Sequence, residues 1–319
     1  MKRLGILGSL VLDTIVPAEG GDPVRALGGI SYALSAWEAA PAPGWEALPL
    51  LKVGRDARDR ADAFLDRLST LASRRGVRTV PEPNNRVELR YRADGEREER
   101  LRGGVPGWSW EELAPLARAC DALYVNLVAG WEVDLGCARR LGDAVSGPLY
   151  CDLHSLLLER SEEGVRRRRA PERWRAWTGC FDYLQLNREE LRTLADAEGT
   201  EPEALARGLA GRGPEVLFVT LGAAGAAWYA AGDGDSASGR APTRPVREGD
   251  PTGCGDVWGA ACVARLLEGR SPAGAARAAN ELARRNARLR GGAGLLGRPD
   301  GPSPGGRGAA GGDADGARR

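Results

Sequence analysis

The sequence Glu248-Gly-Asp-Pro-Thr-Gly-Cys-Gly-Asp256 runs directly into an apolar segment over residues 257–267. Glycines on both sides of Cys254 allow a tight turn with exposed backbone N–H groups, and the apolar spacing that follows predicts a buried helix. A helix N-terminus with free amides is an anion site. Asp256 lies on the turn, where its carboxylate can accept a proton from a hydroxyl. The pattern suggests phosphoryl transfer to an alcohol, although a helix-capping aspartate would look the same locally.

Composition excludes several classes of protein. The chain has 45 Lys and Arg residues against 44 Asp and Glu, so a net charge of +1 gives no sign of a nucleic-acid or anionic-membrane partner. No apolar run is long enough to cross a membrane, and the N-terminus shows no cleavage-site pattern. The six cysteines form no Cys-x-x-Cys pair, and a single histidine, His154, argues against a zinc site. We expect a cytoplasmic protein with reduced thiols.

Strand and helix patterns alternate along much of the chain. Residues 4–10, 48–53, 121–128 and 148–153 are apolar runs typical of strands, and residues 57–74 and 134–144 have helical spacing. Continuous apolar strands that alternate with helices indicate a mostly parallel sheet covered on both faces. Residues 166–169, four arginines in a row, are interpreted as a solvated loop because no aromatic residues are interleaved with them.

Residues 86–101 have a different hydrophobic pattern. They alternate between polar and apolar side chains and break at Asp94-Gly95, the strongest short signal for a hairpin. Both strands are too polar to bury two faces, so we expect an exposed sheet or a plain surface hairpin. Beyond Leu296 the composition is mainly Gly, Pro, Ala, Ser, Asp and Arg, which predicts a disordered tail over residues 297–319.

Asp250-Pro-Thr-Gly-Cys-Gly-Asp256 resembles the Asp-Thr-x-Gly-Ala-Gly-Asp signature of the ribokinase-like, PfkB-type carbohydrate and nucleoside kinases. Gly28-Gly29 before an apolar helix and Val53-Gly-Arg-Asp56 resemble further motifs of that family, in the same chain order. The chain has no Gly-x-x-x-x-Gly-Lys-Ser/Thr loop. The resemblance implies an α/β fold, a ribokinase-like three-layer sandwich with a mostly parallel central sheet and a small β-sheet lid. The kinase domain would cover residues 1–296, with lid strands near 11–27 and 86–101.

For the acceptor, the resemblance implies a site at Asp13, Gly28 and Gly29, where the aspartate accepts hydrogen bonds from sugar hydroxyls. An aspartate at a strand end and an ordinary strand-to-helix turn explain the same residues without a ligand. Two departures leave the substrate open. Ala33 stands where the family usually has Asn, with Tyr32 or Ser31 as substitutes, and the stretch from Asp152 keeps only the aspartate of an Asp-x-Asn-x-Arg motif.

For the donor, the resemblance implies ATP and Mg²⁺. Asn187 and Glu190 resemble an Asn-x-x-Glu motif that orders magnesium, water and phosphates, and a helix capping box explains the same pair. The metal contact would be mediated by water. Nucleotide contacts are implied for Asn187, Thr220, Gly222, Gly225 and Asn280.

Taken together, the resemblance implies an ATP-dependent kinase for a small polyol, a sugar or a nucleoside. Asp256 would be the general base, and the amides of Gly253, Cys254 and Gly255 would form the anion hole. The alternative is a catalytically silent ligand-binding or regulatory protein on the same fold. An exposed lid sheet could also pair with a second copy in a homodimer.

Overall fold

The computed structural model describes residues 1–16, 20, 22–91, 97–232, 237–246 and 249–297. Within these ranges the strands are β1 (Lys2–Leu7), β2 (Leu10–Val16), β3 (Val24–Gly29), β4 (Trp45–Gly54), β5 (Val77–Val80), β6 (Arg86–Tyr91), β7 (Arg97–Arg102), β8 (Ala122–Asn126), β9 (Leu149–Asp152), β10 (Leu158–Arg160), β11 (Arg166–Arg168), β12 (Tyr183–Asn187), β13 (Val216–Thr220), β14 (Ala226–Ala230) and β15 (Ser238–Ala241).

The α-helices of the described part are α1 (Ile30–Ala39), α2 (Arg58–Leu65), α3 (Trp110–Ala117), α4 (Leu135–Ala144), α5 (Trp174–Thr178), α6 (Arg188–Glu198), α7 (Pro202–Leu209), α8 (Cys254–Leu267) and α9 (Pro272–Asn286). A 3₁₀ turn, His154–Leu157, follows β9. No helix of the described residues is both long and apolar enough to span a membrane.

The central sheet has nine strands in the order β15-β14-β13-β12-β9-β8-β1-β4-β5. Its pairs from β13 through β5 are parallel, and β14 and β15 are added antiparallel at one edge. Parallel neighbours require crossover connections, which the helices supply. This confirms the predicted α/β class with a mostly parallel sheet.

Alternation along the strands produces the three layers. In β8, Tyr124 is buried against the layer of α1, α2, α8 and α9, whereas Leu123 and Val125 are buried against the layer of α3 to α7. Successive side chains of a strand point to opposite faces, so a strand that is apolar at every position needs a helical layer on each side. The apolar runs in the sequence are continuous because helices cover both faces of these strands.

A second, smaller sheet has the order β3-β2-β6-β7. β2 pairs with β3 antiparallel and with β6 parallel, and β6 pairs with β7 antiparallel. Its inner face carries Val11, Val87 and Leu89, which pack with Val128 and Ala129 from the segment after β8. The small sheet therefore rests on the main body through an apolar cluster of its own. The Asp94-Gly95 turn lies outside the described residues, as does the tail from residue 298.

Three local predictions were wrong. The strand predicted for residues 4–10 ends at Leu7, and Leu10 starts β2 in the other sheet. The helix predicted for residues 57–74 ends at Leu65, because the Glu38 carboxylate accepts hydrogen bonds from the backbone N–H groups of Ser69 and Thr70, both at 3.0 Å, and holds that segment out of helix. The arginine run is not a solvated loop: residues 166–168 form β11, and Arg166 is buried.

Candidate active site

A cavity of about 710 Å³ opens between the small sheet and the carboxyl ends of the central strands. Asp152, Asn187 and Thr220 are the last residues of β9, β12 and β13, and all three line it. Ligands of open α/β sheets bind outside the carboxyl ends of the strands. The cavity is thus where the topology places a ligand.

The glycine turn before α8 borders this cavity. Gly253 is the N-cap residue of α8 with a left-handed φ of 73°. A Cβ on Gly253 would lie 2.2 Å from the Tyr32 ring, so both the backbone angle and the space require glycine. The Cys254 N–H donates to the Pro251 carbonyl at 3.1 Å, whereas the described residues supply no recorded partner for the Gly255 N–H.

Asp256 is the third residue of α8 and lines the cavity. Its Oδ1 accepts a hydrogen bond of 2.6 Å from the side-chain amide of Asn126, the last residue of β8. Asn126 is fully buried, so the carboxylate is held by a rigid neighbour. Asn126 was not among the residues predicted for the site. A polar residue that ends an apolar strand was the available signal.

Asn187 and Glu190 form a complete capping box at the start of α6. Glu190 N–H donates to Asn187 Oδ1 at 2.9 Å, and Asn187 N–H donates to Glu190 Oε2 at 2.7 Å. Glu190 Oε1 also lies 3.0 Å from His154 Nδ1. Both residues line the cavity, so the capping arrangement and a ligand role are compatible.

His154 and Asp152, which lie beside Glu190, have shifted pKa values. Burial alone would lower the pKa of His154, but the hydrogen bond to Glu190 and the charges of Glu190, Asp152 and Glu99 raise it to about 9. Burial, and then the charge of Glu190, raise the pKa of Asp152 well above its usual range. His154 is also the one described non-glycine residue with positive φ, at 20°. Such outliers concentrate at functional sites.

The predicted acceptor residues lie at the small sheet. Asp13 is buried within β2, in register with Ala26, rather than after a strand of the central sheet as the sequence suggested. Asp13 and Gly29 line the cavity, while Gly28 lies behind them: a Cβ on Gly28 would come within 1.9 Å of Asp13 Oδ2. Gly28 therefore makes room for the carboxylate.

Of the residues near Ala33, Tyr32 is the one that borders the cavity. Ala33 is fully buried in the core, and Ser31 donates a hydrogen bond to the Gly28 carbonyl at 3.1 Å. Burial, together with the charge of Asp13, raises the pKa of the Tyr32 hydroxyl well above its usual range. The Tyr32 hydroxyl is therefore uncharged, and its side chain forms the cavity wall between Asp13 and the α8 turn.

The predicted nucleotide residues Thr220, Gly222 and Gly225 line the cavity opposite the small sheet. Asn280 also borders it, but its side chain is already bonded at both ends: its Oδ1 accepts from Trp258 Nε1 at 2.8 Å, and its Nδ2 donates to the Ala241 carbonyl at 2.7 Å. The contacts of Asn280 therefore tie α9 to α8 and β15. Small side chains nearby, including Ala283 and Ala287, leave a thin space.

Arginines at the cavity were missed by the sequence analysis. Four of them that line it are Arg166, Arg168, Arg188 and Arg244. A cleft lined by positive charge concentrates anionic ligands. Among the described residues there is no group of three or more His, Cys, Asp or Glu side chains that could hold a metal ion.

Comparison with known proteins agrees with this geometry. Residues 159–295 match the model described as pfkB family carbohydrate kinase. A comparison with curated protein sequences finds no match. Among solved structures, a pyrophosphate-dependent kinase of the ribokinase family, in a sulfate complex, has a TM-score of 0.72 at 20% identity, covering 91% of this chain and 96% of the other.

Two further structures have similar scores. The Burkholderia thailandensis nucleoside kinase in complex with inosine has a TM-score of 0.70 at 20% identity, covering 91% of this chain and 92% of the other. The Cryptococcus neoformans var. grubii ribokinase in complex with ADP has a TM-score of 0.69 at 19% identity, covering 93% of this chain and 97% of the other. The fold is ribokinase-like, and residues 159–295 are similar to the pfkB family of carbohydrate kinases.

Proposed function

We propose that the protein is an ATP-dependent kinase that transfers the γ-phosphoryl group to a hydroxyl of a small sugar or nucleoside, with Asp256 as general base. The observation that carries this proposal is the Asp256 carboxylate on the first turn of α8, held by Asn126 at 2.6 Å and open to the cavity. Asp13 of the small sheet lines the same cavity as Thr220, Gly222 and Gly225.

The residues divide the reaction between them. Asp13 accepts hydrogen bonds from hydroxyls of the acceptor. Asp256 takes the proton of the attacking hydroxyl while the oxygen of that hydroxyl forms a bond to the γ-phosphorus. The bond to the β,γ-bridging oxygen breaks, and the electron pair leaves with ADP. The Gly255 N–H and the N-terminus of α8 stabilise negative charge on the transferring group. Cys254 contributes less to this anion hole than the sequence suggested, since its N–H already has a partner.

Magnesium fits the site through water. Glu190 Oε2 accepts a hydrogen bond from Asn187 N–H, and Glu190 Oε1 lies beside His154 Nδ1. Because both oxygens already have partners, Glu190 is suited to contact a hydrated cation through its water molecules and not to coordinate the cation directly. Bound Mg²⁺ would neutralise phosphate charge. Asn187 and Glu190 would orient its water molecules, while the capping box keeps both side chains fixed.

The donor is ATP in this proposal, because Gly222, Gly225, Ala283 and Ala287 line the cavity and such small residues leave space for an adenosine group. Pyrophosphate would leave that space unfilled. The first structural relative described above uses pyrophosphate, so the donor needs a direct test.

Purified protein is incubated with each donor, ATP or pyrophosphate, and a panel of sugars and nucleosides, and the phosphorylated product is measured. We expect product with ATP and an acceptor that carries adjacent hydroxyls. Product with pyrophosphate alone would refute the donor assignment. Absence of product with every pair would favour the silent ligand-binding protein, for which the altered Ala33 and Asp152 motifs are the supporting observation.

A homodimer through the lid is part of the proposal. The outer face of the small sheet carries charged pairs, among them Arg90–Glu88 and Arg100–Glu98, which could exchange partners with a second copy. Light scattering at two salt concentrations tests this, since an interface of exposed ion pairs should weaken at high salt. A monomer at low salt would refute it.

A further inference from the structure

Strand β11 directs alternate arginines to different surroundings. Arg166 and Arg168 are two residues apart and therefore share a face of the strand, and both line the cavity. Arg167 lies between them on the opposite face and is exposed. The run that looked like a solvated loop thus delivers two guanidinium groups to one site.

The charge of Arg166 is already matched. Its side chain is 2% exposed and forms an ion pair of 2.7 Å with Glu99 of β7. The same guanidinium donates hydrogen bonds to the carbonyls of Val128 and Ala129. Arg166 is therefore a fixed part of the wall, with little capacity left for a ligand.

Arg168 differs from Arg166, Arg169 and Arg160 in its side-chain contacts. Arg169 pairs with Glu159, and Arg160 lies over the Trp131 ring at 4.9 Å. The Arg168 side chain forms no hydrogen bond or ion pair with the part of the chain that the structure describes, and it is exposed at the cavity. It is a cation that remains available to a ligand.

The position of Arg168 favours the acceptor over the donor. The hairpin of β10 and β11 is attached to the small sheet: Leu101 N–H of β7 donates to the Gly164 carbonyl at 2.8 Å, and Val165 forms a bridge with Arg100. That sheet also carries Asp13. Arg188 and Arg244, in contrast, lie on α6 and on the segment after β15, next to the predicted donor residues.

We propose that the acceptor carries an anionic group, a carboxylate or a phosphate monoester, which Arg168 binds while Asp13 holds the hydroxyls. The proposal rests on the kinase function proposed above. The planar guanidinium binds such oxygens through two parallel hydrogen bonds, and pairs of this kind are stronger than neutral ones. A neutral polyol would leave Arg168 in water.

The test compares Arg168→Gln with Arg167→Gln, which removes the adjacent charge from the other face of the same strand. Kinetics are measured at saturating donor with matched acceptors: an aldose and its aldonate, and a sugar or nucleoside and its monophosphate. We expect the wild type to prefer one anionic member. Arg168→Gln should raise its KM about tenfold or more, since hydrogen bonds to charged groups are the strong ones. Arg167→Gln should match the wild type.

Several results would overturn the proposal. One is an equal or better KM for the neutral member of each pair, and another is the same change in both variants. A rise in the KM of the donor with every acceptor would assign Arg168 to the donor. If no acceptor is phosphorylated, the proposed function fails, yet thermal shifts still decide anion binding: the wild type and Arg167→Gln should be stabilised by the anionic compounds, and Arg168→Gln should not.

Discussion

Asp256 and Asn126 are brought together from positions 130 residues apart in the sequence. Replacing Asp256 by Asn keeps the size of the side chain and removes the proton acceptor. We predict that Asp256→Asn lowers turnover by about 10² to 10⁴, the usual contribution of a positioned acid–base group, while donor binding and thermal stability change little. Steady-state kinetics and a melting curve measure both quantities.

Asp134→Asn is the matched control for this change. Asp134 caps α4 through a hydrogen bond of 2.6 Å from Cys137 N–H, and it lies outside the cavity. Asn caps a helix about as well as Asp does, so a purely capping role would leave both variants stable and active. Turnover of Asp256→Asn near that of the wild type would refute the assignment of the base.

Residue-level prediction was best where a motif has a fixed backbone geometry. Gly253 has a left-handed φ and lies close to the Tyr32 ring, and both constraints require glycine at this position. The turn is therefore recognisable from the sequence. Asn126 and Arg168 have no such local constraint, because their neighbours come from elements far away in the chain. Asn280 was predicted at the site, with helix packing as the other explanation; it borders the cavity, and its side chain forms hydrogen bonds with Trp258 and Ala241.

At the scale of elements, the small sheet is fastened to the β10–β11 hairpin by the ion pair of Glu99 and Arg166, whose side chains are 11% and 2% exposed. Removing one partner leaves a buried charge, which typically costs about 3–5 kcal/mol. We predict that Glu99→Gln lowers the free energy of unfolding by an amount of this order and raises the KM of the acceptor. Urea unfolding and kinetics measure the two effects.

Glu98→Gln is the neighbouring control, because Glu98 pairs with Arg100 at side chains 27% and 40% exposed. An exposed ion pair of this kind contributes about 0–1 kcal/mol. Equal losses of stability in the two variants would contradict the distinction between the faces of β7.

The pair of strands β6 and β7 shows how much of an element can be predicted from the sequence. Alternation in residues 86–101 predicts two paired strands, and β6 and β7 do pair. The parallel pairing of β6 with β2 joins segments about seventy residues apart and has no local signature, since the register depends on the hydrophobic faces that meet.

At the scale of the whole molecule, the sheet separates two apolar layers, and some of the buried polar residues, among them Asn126 and Asp152, end its strands. The layers were predictable because every buried strand needs two apolar faces. The cavity was not, since its walls come from the central sheet, the small sheet, α6, α8 and α9 together. His154 and Asp152, whose pKa values are raised, line the cavity at this junction.

The pH dependence of stability tests these pKa shifts. The pKa of His154 is raised to about 9, above its ordinary value near 6.5, because Glu190, Asp152 and Glu99 face the ring. A raised folded-state pKa means that the folded protein binds the proton more tightly. The stabilisation by His154 is therefore complete below pH 6.5 and is lost as the pH rises through about 9.

We predict that the free energy of unfolding of the wild type falls between about pH 6.5 and 9 relative to that of His154→Asn, measured by urea unfolding in metal-free buffer. Asn is the chosen replacement because it tolerates positive φ better than most residues. The raised pKa of Asp152 also makes stability decrease with rising pH, and the charge of His154 opposes that shift, so the comparison measures the titration of His154 together with its effect on Asp152. Parallel stability curves for the two proteins would show that the imidazole is not charged in the folded state, and that Glu190 is held by the capping box alone.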